Sequence, residues 1–546
     1  MPPVLSFTGK RWIIPEPTEA SGDILQNLKE SRGIRSSESI ISPTVYPDIT
    51  IICDRLRQAI ERRETIGIFG DYDCDGITGA AILVRLLRRR GIEPIVILPH
   101  RVRDGYGLTT MMIERWKAHG ISLLLTVDTG ITAVDAIAEA RRSGIDVLIT
   151  DHHHLQEEVP AAFGILHPAL APGYPEPHPS GSGVAFALAT ALEGTATWEG
   201  RDTDIALAAI GMIADLVPLQ GGNRALVQEG ITALNALTDG PLALFADTIR
   251  SKNRALVATD IAFRLAPRIN AAGRMEDPMI ALTALLDGGP ALQSLETLNG
   301  LRQSSTLSLL VETYTLLDLP ENPSHEQLMS LPPLLAVAHA SFPEGIIGLL
   351  AGRLTEAFGR PSLVATIRDG RCTASLRSIP AFHVAQGLKR CSDLLGSFGG
   401  HAQAAGCSFA EADFPLLRQR MSDDVAAHVS SEDLFPSLSI ASSIQPQNIT
   451  VGFCEGLAAL EPFGQGNPEP LFLLPHVRLE NCRQVGAEGA HLQCRVADIK
   501  AIGFRLGAFM AETMKPLDIT CKLQVDTWNG YRNPQVVIED MRVSKW

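Results

Sequence analysis

The chain has 546 residues, 45% of them hydrophobic and 20% charged, and its formal net charge is −14. This length exceeds one hydrophobic core, since a domain usually holds about 100–200 residues, and we expect three or four domains. The composition is that of an ordinary soluble protein, and no apolar run reaches the roughly 20 residues that cross a bilayer. The N-terminal sequence also lacks the apolar core of a signal peptide.

Cysteine usage and charge narrow the function classes further. Nine scattered cysteines, none in a CxxC pair, indicate reduced thiols in a cytoplasmic chain and disfavour a disulfide framework or a zinc site. The negative net charge, taken alone, argues against a polyanionic ligand, because proteins that bind nucleic acid are usually basic where they bind. Residues 441–546 are nearly balanced in charge, however, and acids elsewhere would be neutralised if they bind cations.

From about residue 65, short apolar runs alternate with helical patterns. The predicted strands are 65–70, 94–99, 122–128 and 146–151, and the predicted helices are 77–91, 109–119 and 132–143. This alternation predicts an α/β fold with a parallel, doubly wound sheet. Ligands bind at the carboxyl ends of strands in such sheets, which is where Asp71, Asp128 and Asp151 fall.

The rest of the chain changes pattern several times. It comprises a Pro-rich stretch predicted to be a surface loop (167–183), a helix (184–193), a helical region (203–280), a long connector helix (291–319), a linker (321–327), a second α/β unit (334–378) and, from about 440, short strands. The last segment predicts a small β-barrel resembling an OB-fold.

The segment GDYDCDG (70–76) carries three carboxylates at alternate positions, Asp71, Asp73 and Asp75. If the segment is extended, all three face one side, where like charges repel unless a cation separates them. An EF-hand loop is excluded because its twelfth position is Ile82 and not Glu. A metal site is favoured over a solvated acidic turn.

Three later segments carry further ligand types. Asp128 ends a predicted strand, although Asp is also common as a turn residue or helix cap. The segment DHHH (151–154) begins where another predicted strand ends, and it supplies imidazoles together with a carboxylate that can orient them. Asp215 lies in an apolar run, where it is either a metal ligand or a cap before Pro218. Oxygen and imidazole ligands without thiolates favour Mn²⁺ or Mg²⁺, and about six of them favour two ions.

The motifs GDYDCDG, VDTG, TDHHH and ADLVP, in this order, resemble those of the DHH phosphoesterase superfamily. SLRS (375–378) and FGGHAQAAG (398–406) resemble the associated DHHA1 domain. HRVRDGYGL, APRINAAGRMEDP, EGIIGLLAGRLTEAFGRP, PFGQGNPEP and WNGYRNPQ resemble the RecJ family of single-strand-specific 5′→3′ DNA exonucleases. The resemblance implies an N-terminal segment packing on the core (1–60), a DHH domain (61–285), a connector helix and linker (286–327), a DHHA1 domain (328–430) and an OB-fold-like nucleic-acid-binding domain (440–546).

The resemblance also implies a role for each matching residue. The metal ligands would be Asp71, Asp73, Asp75, Asp128, His152 and Asp215. Asp151 would support His152, and His153 would contact the scissile phosphate. Phosphates would be held by Arg101 and Arg274, and the 5′-terminal phosphate by Ser375, Arg377, Gly399, Gly400 and His401. On sequence alone, Arg101 could equally be a solvated cation and Gly399–His401 an ordinary glycine turn.

Some positions depart from the family pattern. Thr129 stands where Asn or Cys is expected, His167 where Asn is usual, and His154 is an extra histidine. None of these changes removes a ligand, so activity is still expected. Three aromatic residues, Phe463, Phe472 and Trp528, would either stack on bases or belong to the barrel core.

The function implied is a two-metal exonuclease that degrades single-stranded DNA to nucleoside 5′-monophosphates in recombination and repair. Its expected partners are a single-strand-binding protein and a helicase, and a monomer with no membrane association is expected. The alternatives are a DHH/DHHA1 phosphodiesterase acting on short oligonucleotides or cyclic dinucleotides, or a non-catalytic single-strand-binding scaffold. The barrel predicted at 440–546 disfavours the phosphodiesterase, because such enzymes usually lack it. The full set of expected metal ligands disfavours the non-catalytic scaffold, which would have lost some of them.

Overall fold

A computed structural model describes residues 5–15, 23–35, 38–101, 103–105, 107–251, 254–320, 323–527 and 530–545. The chain forms two compact units. The parallel-sheet unit comprises Lys29–Arg302 and Leu460–Pro468, and the C-terminal unit comprises Met1–Leu28, Gln303–Ala459 and Glu469–Trp546.

The strands, in chain order, are β1 (Arg11–Ile13), β2 (Ile66–Gly70), β3 (Ile95–Ile97), β4 (Leu123–Val127), β5 (Asp146–Thr150), β6 (Gly164–Leu166), β7 (Leu335–His339), β8 (Ser362–Arg368), β9 (Arg371–Arg377), β10 (Leu395–Gly400), β11 (Ala404–Ala410), β12 (Ser437–Ser439), β13 (Ser442–Ser443), β14 (Phe472–Val477), β15 (Leu479–Val485), β16 (His491–Val496), β17 (Ile499–Gly503), β18 (Leu517–Asp526) and β19 (Asn533–Val543).

The α-helices are α1 (Ile24–Ser31), α2 (Ile49–Glu61), α3 (Cys74–Arg88), α4 (Thr110–Ala118), α5 (Val134–Arg142), α6 (Gly181–Glu193), α7 (Arg201–Ala214), α8 (Gly221–Ala236), α9 (Gly240–Asp247), α10 (Ala258–Asp260), α11 (Ala266–Met275), α12 (Met279–Leu286), α13 (Pro290–Leu316), α14 (His325–Ser330), α15 (Glu344–Phe358), α16 (Val384–Arg390), α17 (Phe414–His428) and α18 (Val451–Ala458). A π-helical turn, Ile261–Leu265, joins α10 to α11. Among the described residues, no helix has the length and apolar composition needed to cross a membrane.

The parallel-sheet unit contains a five-stranded sheet of order β3-β2-β4-β5-β6, in which every neighbouring pair is parallel. Strands β2 and β4 are completely buried, which explains their continuous apolar sequences. The chain leaves β2 toward β3 and then returns to β4 on the other side. The strand order therefore reverses between β2 and β4, and a crevice opens at their carboxyl ends.

Helices cover both faces of this sheet, as a doubly wound fold requires. On one face α3 packs against α6 and α7. On the other face α4 and α5 bury Trp116 and Ile137 against strand residues such as Leu124. Helix α3 has almost no exposed face, and its 74–88 sequence is correspondingly apolar apart from Asp75 and Thr78 near its start and the arginines of its last turn.

The C-terminal unit contains two larger sheets. The first, of order β10-β11-β9-β8-β7, is parallel only between β7 and β8. The second has the order β13-β14-β18-β19-β17-β16-β15 and is OB-like. Buried and exposed positions alternate along β9 and β16, as expected for strands with one face on a core. Strand β1 pairs in parallel with β12.

Three local predictions were wrong. Helix α3 begins at Cys74, not at 77, because Asp73 caps its N-terminus. The stretch 167–183 is not simply a surface loop: His167 and Ser180 are buried and α6 already begins at Gly181. The predicted linker 321–327 overlaps helix α14, whose capping box is formed by Ser324 and Gln327.

Candidate active site

Three carboxylates follow β2 at the crevice. Asp73 is the N-cap of α3, and its Oδ1 accepts hydrogen bonds from the backbone N–H groups of Asp75 and Gly76 at 3.0 and 3.2 Å. Asp75 lies in the first turn of α3. The segment is therefore not extended as the sequence suggested. The carboxylates converge by turning into a helix, whose N-terminus favours negative charge.

Asp128 follows β4 and has a left-handed backbone with φ of 60°. Its N–H donates to the carbonyl of Thr150 at 2.9 Å. Asp tolerates this conformation better than most residues, but it still costs stability, and such strain is concentrated at functional sites. Gly181 at the start of α6 lies against Asp128: a β-carbon on this glycine would be 2.4 Å from the β-carbon of Asp128.

The segment after β5 contributes Asp151, His152 and His153. Asp151 Oδ1 accepts the backbone N–H of His152 at 2.7 Å and lies 2.7 Å from Nδ1 of His153. Its other oxygen accepts the N–H of Ile131 at 2.9 Å. The ring held by Asp151 is thus that of His153, whereas the sequence predicted support for His152. The ring of His152 instead faces Asp128 and Asp215, with Nε2 at 3.0 and 3.6 Å from their carboxylate oxygens.

Asp215 is the C-cap of α7. The two interpretations from the sequence, a helix cap and a metal ligand, are therefore compatible with each other. The structure brings all six predicted metal ligands together. Ligand atoms within 4.8 Å of one another form three overlapping groups: Asp71, Asp73 and Asp128; Asp75, His152 and Asp215; and Asp128, His152 and His153.

This cluster fits divalent cations. Oδ2 of Asp75, Oδ1 of Asp128 and Nε2 of His152 are buried and make no hydrogen bond within the described part of the chain. Unsatisfied buried polar atoms are costly and rare. Asp75 and Asp128 each share a ligand group with His152, and carboxylate and imidazole donors suit Mn²⁺ or Mg²⁺.

The pKa values reflect crowding of like charges. Burial, followed by the charge of Asp73, raises the pKa of Asp71 to about 8. Burial and the charge of Asp75 likewise raise the pKa of Asp215 to about 8. Burial lowers the pKa of His152 to about 4, which leaves its ring neutral and able to bind a metal.

The Asp151–His153 pair behaves in the opposite way. Although burial lowers the pKa of His153, its hydrogen bond to Asp151 and that residue's charge raise it to about 9. Burial, the largest influence, raises the pKa of Asp151, but the hydrogen bond to His153, the charge of that ring and the backbone N–H of Ile131 together outweigh it and bring the pKa to about 2. His153 therefore carries a positive charge at neutral pH beside the ligand cluster.

Sequence reasoning missed the start of α6. Ser180 Oγ donates to Asp75 Oδ1 at 2.6 Å, and the N–H of Ser182 donates to the same oxygen at 3.2 Å. These bonds orient Asp75 and leave its second oxygen free for a ligand. The pattern SGSG at a helix start, with glycines where a backbone approaches closely, was the available signal.

Arginines flank the same crevice. Arg101 stacks over the ring of Tyr72 at 4.2 Å, and its Nε is buried without a hydrogen bond among the described residues. Arg274 lies in the last turn of α11, and Asn270 Oδ1 of the same helix accepts the N–H of Cys74 at 3.0 Å. Burial raises the pKa of Tyr72 to about 12, and the charges of both arginines oppose this shift.

The C-terminal unit gathers the remaining predicted residues. Arg377 Nη1 donates to Ser375 Oγ at 3.1 Å on β9, and Gly406 on β11 pairs with both Ser375 and Gly399. Gly400, the other predicted phosphate-binding residue on β10, is exposed, and the N–H of His401 donates to the carbonyl of Ala404 at 2.7 Å. Gly348 of α15 was not predicted: a β-carbon there would be 3.0 Å from Ser375 Oγ and 3.1 Å from Arg377 Nη2.

The three aromatic candidates differ. Phe472 is fully buried, so it belongs to the core and cannot stack on a base. Phe463 is half-buried and lies in the 460–468 segment of the parallel-sheet unit. Trp528 lies outside the described residues.

Models of three families match the chain. The DHH family N-terminal domain matches residues 65–220, the DHHA1 domain matches residues 332–427 and the RecJ OB domain matches residues 440–540.

Similar proteins share the name single-stranded-DNA-specific exonuclease RecJ. The Bacillus subtilis protein is 34% identical over 513 residues, 90% of this chain and 63% of that protein, so this chain spans less than two thirds of its length. The Thermus thermophilus protein is 34% identical over 529 residues, 94% of this chain and 74% of that protein. The Escherichia coli protein is 31% identical over 558 residues, 95% of each chain.

Solved structures agree. The crystal structure of RecJ from Thermus thermophilus in complex with Mn²⁺ has a TM-score of 0.81 at 29% identity, covering 96% of this chain and 76% of that one. A structure of exonuclease RecJ bound to manganese has a TM-score of 0.60 at 32% identity, covering 71% of this chain and 98% of that one. With the ordered ligand cluster and the three domain matches, these similarities establish that the chain belongs to the RecJ family.

Proposed function

We propose that this chain is a metal-dependent exonuclease that degrades single-stranded DNA from its 5′ end to nucleoside 5′-monophosphates. The observation that carries the proposal is the convergence of Asp75, Asp128 and His152 with buried ligand atoms that make no hydrogen bonds among the described residues. The relatives' name, single-stranded-DNA-specific exonuclease, supports the substrate class.

Two divalent cations, Mn²⁺ or Mg²⁺, would fit this cluster. Asp71, Asp73 and Asp128 would hold one, and Asp75, His152 and Asp215 the other. Bound there, such ions activate a water molecule and neutralise charge on the transferring phosphoryl group. Ser180 keeps one oxygen of Asp75 occupied and so fixes which oxygen faces the ligand.

The chain's own cations would position the scissile phosphate. Protonated His153, held by Asp151, offers a charge-assisted donor beside the cluster. Arg101 and Arg274 approach Tyr72 from the same crevice and supply guanidinium groups that bind phosphate oxygens in pairs.

The 5′ end would be recognised in the C-terminal unit. Ser375 and Arg377 on β9 present a hydroxyl and a guanidinium group, and β11 alone separates them from the glycine-rich strand β10. Gly399 and Gly400 allow backbone N–H groups to approach an oxyanion, and His401 follows them. The OB-like domain would track the strand through its backbone, without reading sequence.

We further propose the cellular setting. All nine cysteines are free thiols, which supports a cytoplasmic location. A monomer is proposed, with a helicase and a single-strand-binding protein as partners, since a nuclease of this specificity needs separated strands. The five segments expected from the sequence, 1–60, 61–285, 286–327, 328–430 and 440–546, are proposed as the domain boundaries, supported by matches to 65–220, 332–427 and 440–540.

A degradation assay tests the proposal. Purified protein with Mn²⁺ is given 5′-phosphorylated single-stranded DNA, the same strand in a blunt duplex and a 3′-blocked strand. We expect mononucleotide release from both single strands and at least about 100-fold slower release from duplex, with Asp128→Asn as the inactive control. Cleavage confined to short oligonucleotides or cyclic dinucleotides would favour the phosphodiesterase alternative, and binding without cleavage would favour the scaffold.

A further inference from the structure

Leu216, directly after the ligand Asp215, is the exposed member of an otherwise buried apolar run. Its relative exposure is 66%, whereas Val217 and Leu219 are 7% and 2% exposed. A single exposed leucine needs no explanation in general. Leu216 differs from other exposed leucines in its left-handed backbone and in its position directly after a predicted metal ligand.

The backbone of Leu216 is left-handed, with φ of 59°. It ends α7: its N–H donates to the carbonyl of Ile213 at 3.3 Å and that of Val217 to Met212 at 3.3 Å. Glycine is the usual residue at this position of a helix end, because a β-carbon is strained there. The chain thus retains a side chain that the local backbone disfavours and the core does not use. Such strain is typical of sites that bind a ligand.

Leu216 is also bonded directly to Asp215, the more exposed of the two carboxylates that face Nε2 of His152. The Asp215 side chain is 30% exposed, whereas those of His152 and Asp128 are 16% and 3% exposed. A polymeric substrate must approach from the solvent-exposed side. The residue that follows Asp215 is therefore placed to meet the nucleotide whose phosphate reaches the cluster.

We propose that Leu216 is a substrate-contacting residue that packs against the nucleobase next to the scissile phosphodiester. This inference rests on the proposed exonuclease function and adds a residue to it. An isobutyl group gains nothing from a phosphate but covers the apolar face of a base. Every base has such a face, so the contact is independent of sequence. It holds the terminal nucleotide while its phosphate is aligned.

The test combines protein variants with modified substrates. Leu216→Asn keeps a residue that tolerates the left-handed backbone, and Leu216→Gly relieves the strain altogether. Leu244→Ala, in α9, removes another exposed leucine (59%) and is the matched control. Each protein is assayed for kcat/KM with Mn²⁺ on a 5′-phosphorylated strand and on strands with an abasic site at one of the first three nucleotides.

We expect both Leu216 variants to lose about 10-fold in kcat/KM on the intact strand, the low end of what burying a leucine side chain contributes. Their Mn²⁺ affinity stays unchanged, and the Tm of Leu216→Gly stays equal or rises. One abasic position lowers kcat/KM of the wild type about 10-fold but that of the variants less than twofold. The Leu244 control behaves as wild type throughout.

Three results would overturn the inference: wild-type kcat/KM in the variants, an equal abasic penalty in variants and wild type, or lost activity that accompanies weaker Mn²⁺ binding or a lower Tm. Failure of the proposed function is separate, because it appears as a wild-type protein that does not degrade the intact strand.

Discussion

Nε2 of His152 lies 3.0 Å from Oδ1 of Asp128, and neither atom makes a hydrogen bond within the described part of the chain. Both are buried, so leaving them unsatisfied costs free energy. An imidazole nitrogen and a carboxylate oxygen that are buried, face one another and have no other partner among the described residues form a pair of atoms to which a divalent cation can bind.

Manganese should stabilise the wild type and not Asp128→Asn. A ligand that binds only the folded state adds about 2.7 kcal/mol at 100 times its Kd, which thermal unfolding detects readily. The asparagine keeps the shape of Asp128 but removes the charge that attracts the cation. Equal Mn²⁺-dependent shifts in Tm for both proteins would show that Asp128 is not a ligand. The unfolding midpoints in EDTA serve as the reference for both.

The metal-free protein should lose stability as pH rises from 6.5 to 8. Asp71 and Asp215 have a pKa of about 8 when folded, against 3.8 for an ordinary aspartate, and His153 has a pKa of about 9, against 6.5. The folded chain therefore holds protons that the unfolded chain has released. Each such proton lowers the free energy of unfolding by about 1.4 kcal/mol per pH unit.

This window isolates the raised groups. Near pH 6.5 the unfolded chain still protonates His152 in part, so the separation is clean only above about pH 7.5. There His152, with a pKa of about 4 when folded, is neutral in both states, and Asp151, with a pKa of about 2, is ionised in both. Denaturant unfolding in EDTA measures the slope. Stability that increases across this range would contradict the crowding of carboxylates, and Mn²⁺, which displaces the protons, should stabilise more strongly as pH rises.

Asp151→Asn should lower kcat by about 10–100-fold, the usual effect of removing the group that orients a residue at a metal site. The amide cannot supply the negative charge that keeps His153 protonated, so the phosphate contact weakens while the ligand cluster remains. Steady-state kinetics with Mn²⁺ titration would separate the two effects. His154→Gln is the matched control, since His154 is exposed and belongs to none of the described ligand groups; comparable losses in both variants would refute the role given to Asp151.

Gly181→Ala should abolish activity although it adds one methyl group. The new β-carbon would lie 2.4 Å from that of Asp128, so Asp128 must move out of the ligand cluster. Gly300→Ala, where nothing lies within 4 Å, should leave activity intact and stabilise α13 by about 0.5–1 kcal/mol. The measurement is Mn²⁺-dependent cleavage together with the circular dichroism of both variants. A fully active Gly181→Ala would mean that α6 does not set the position of Asp128.

Much of the fold followed from local pattern. Continuous apolar runs predicted β2 and β4 within one residue at each end, because a parallel sheet buried on both faces needs such sequences. The carboxylates after β2 and β4 were predicted to meet because parallel strands end at one edge of a sheet. The strand reversal that places the crevice between them is tertiary and could not be seen in the sequence.

The misses arose where particular side-chain contacts decide local structure, some of them between neighbouring residues and some between distant segments. The Pro-rich stretch was predicted to be on the surface, yet Ser180 is buried because its hydroxyl meets Asp75, about a hundred residues earlier in the chain. Asp151 was assigned to His152 because the two are adjacent. The turn after β5 instead brings the ring of His153 within hydrogen-bond distance of the Asp151 carboxylate.

The most direct measurement is anomalous diffraction at the manganese edge from crystals of the full chain grown with Mn²⁺. The account predicts two peaks, one ligated by Asp71, Asp73 and Asp128 and one by Asp75, His152 and Asp215, with Ser180 still bound to the other oxygen of Asp75. Manganese bound elsewhere, or no peak at this cluster while the protein is active, would contradict the account.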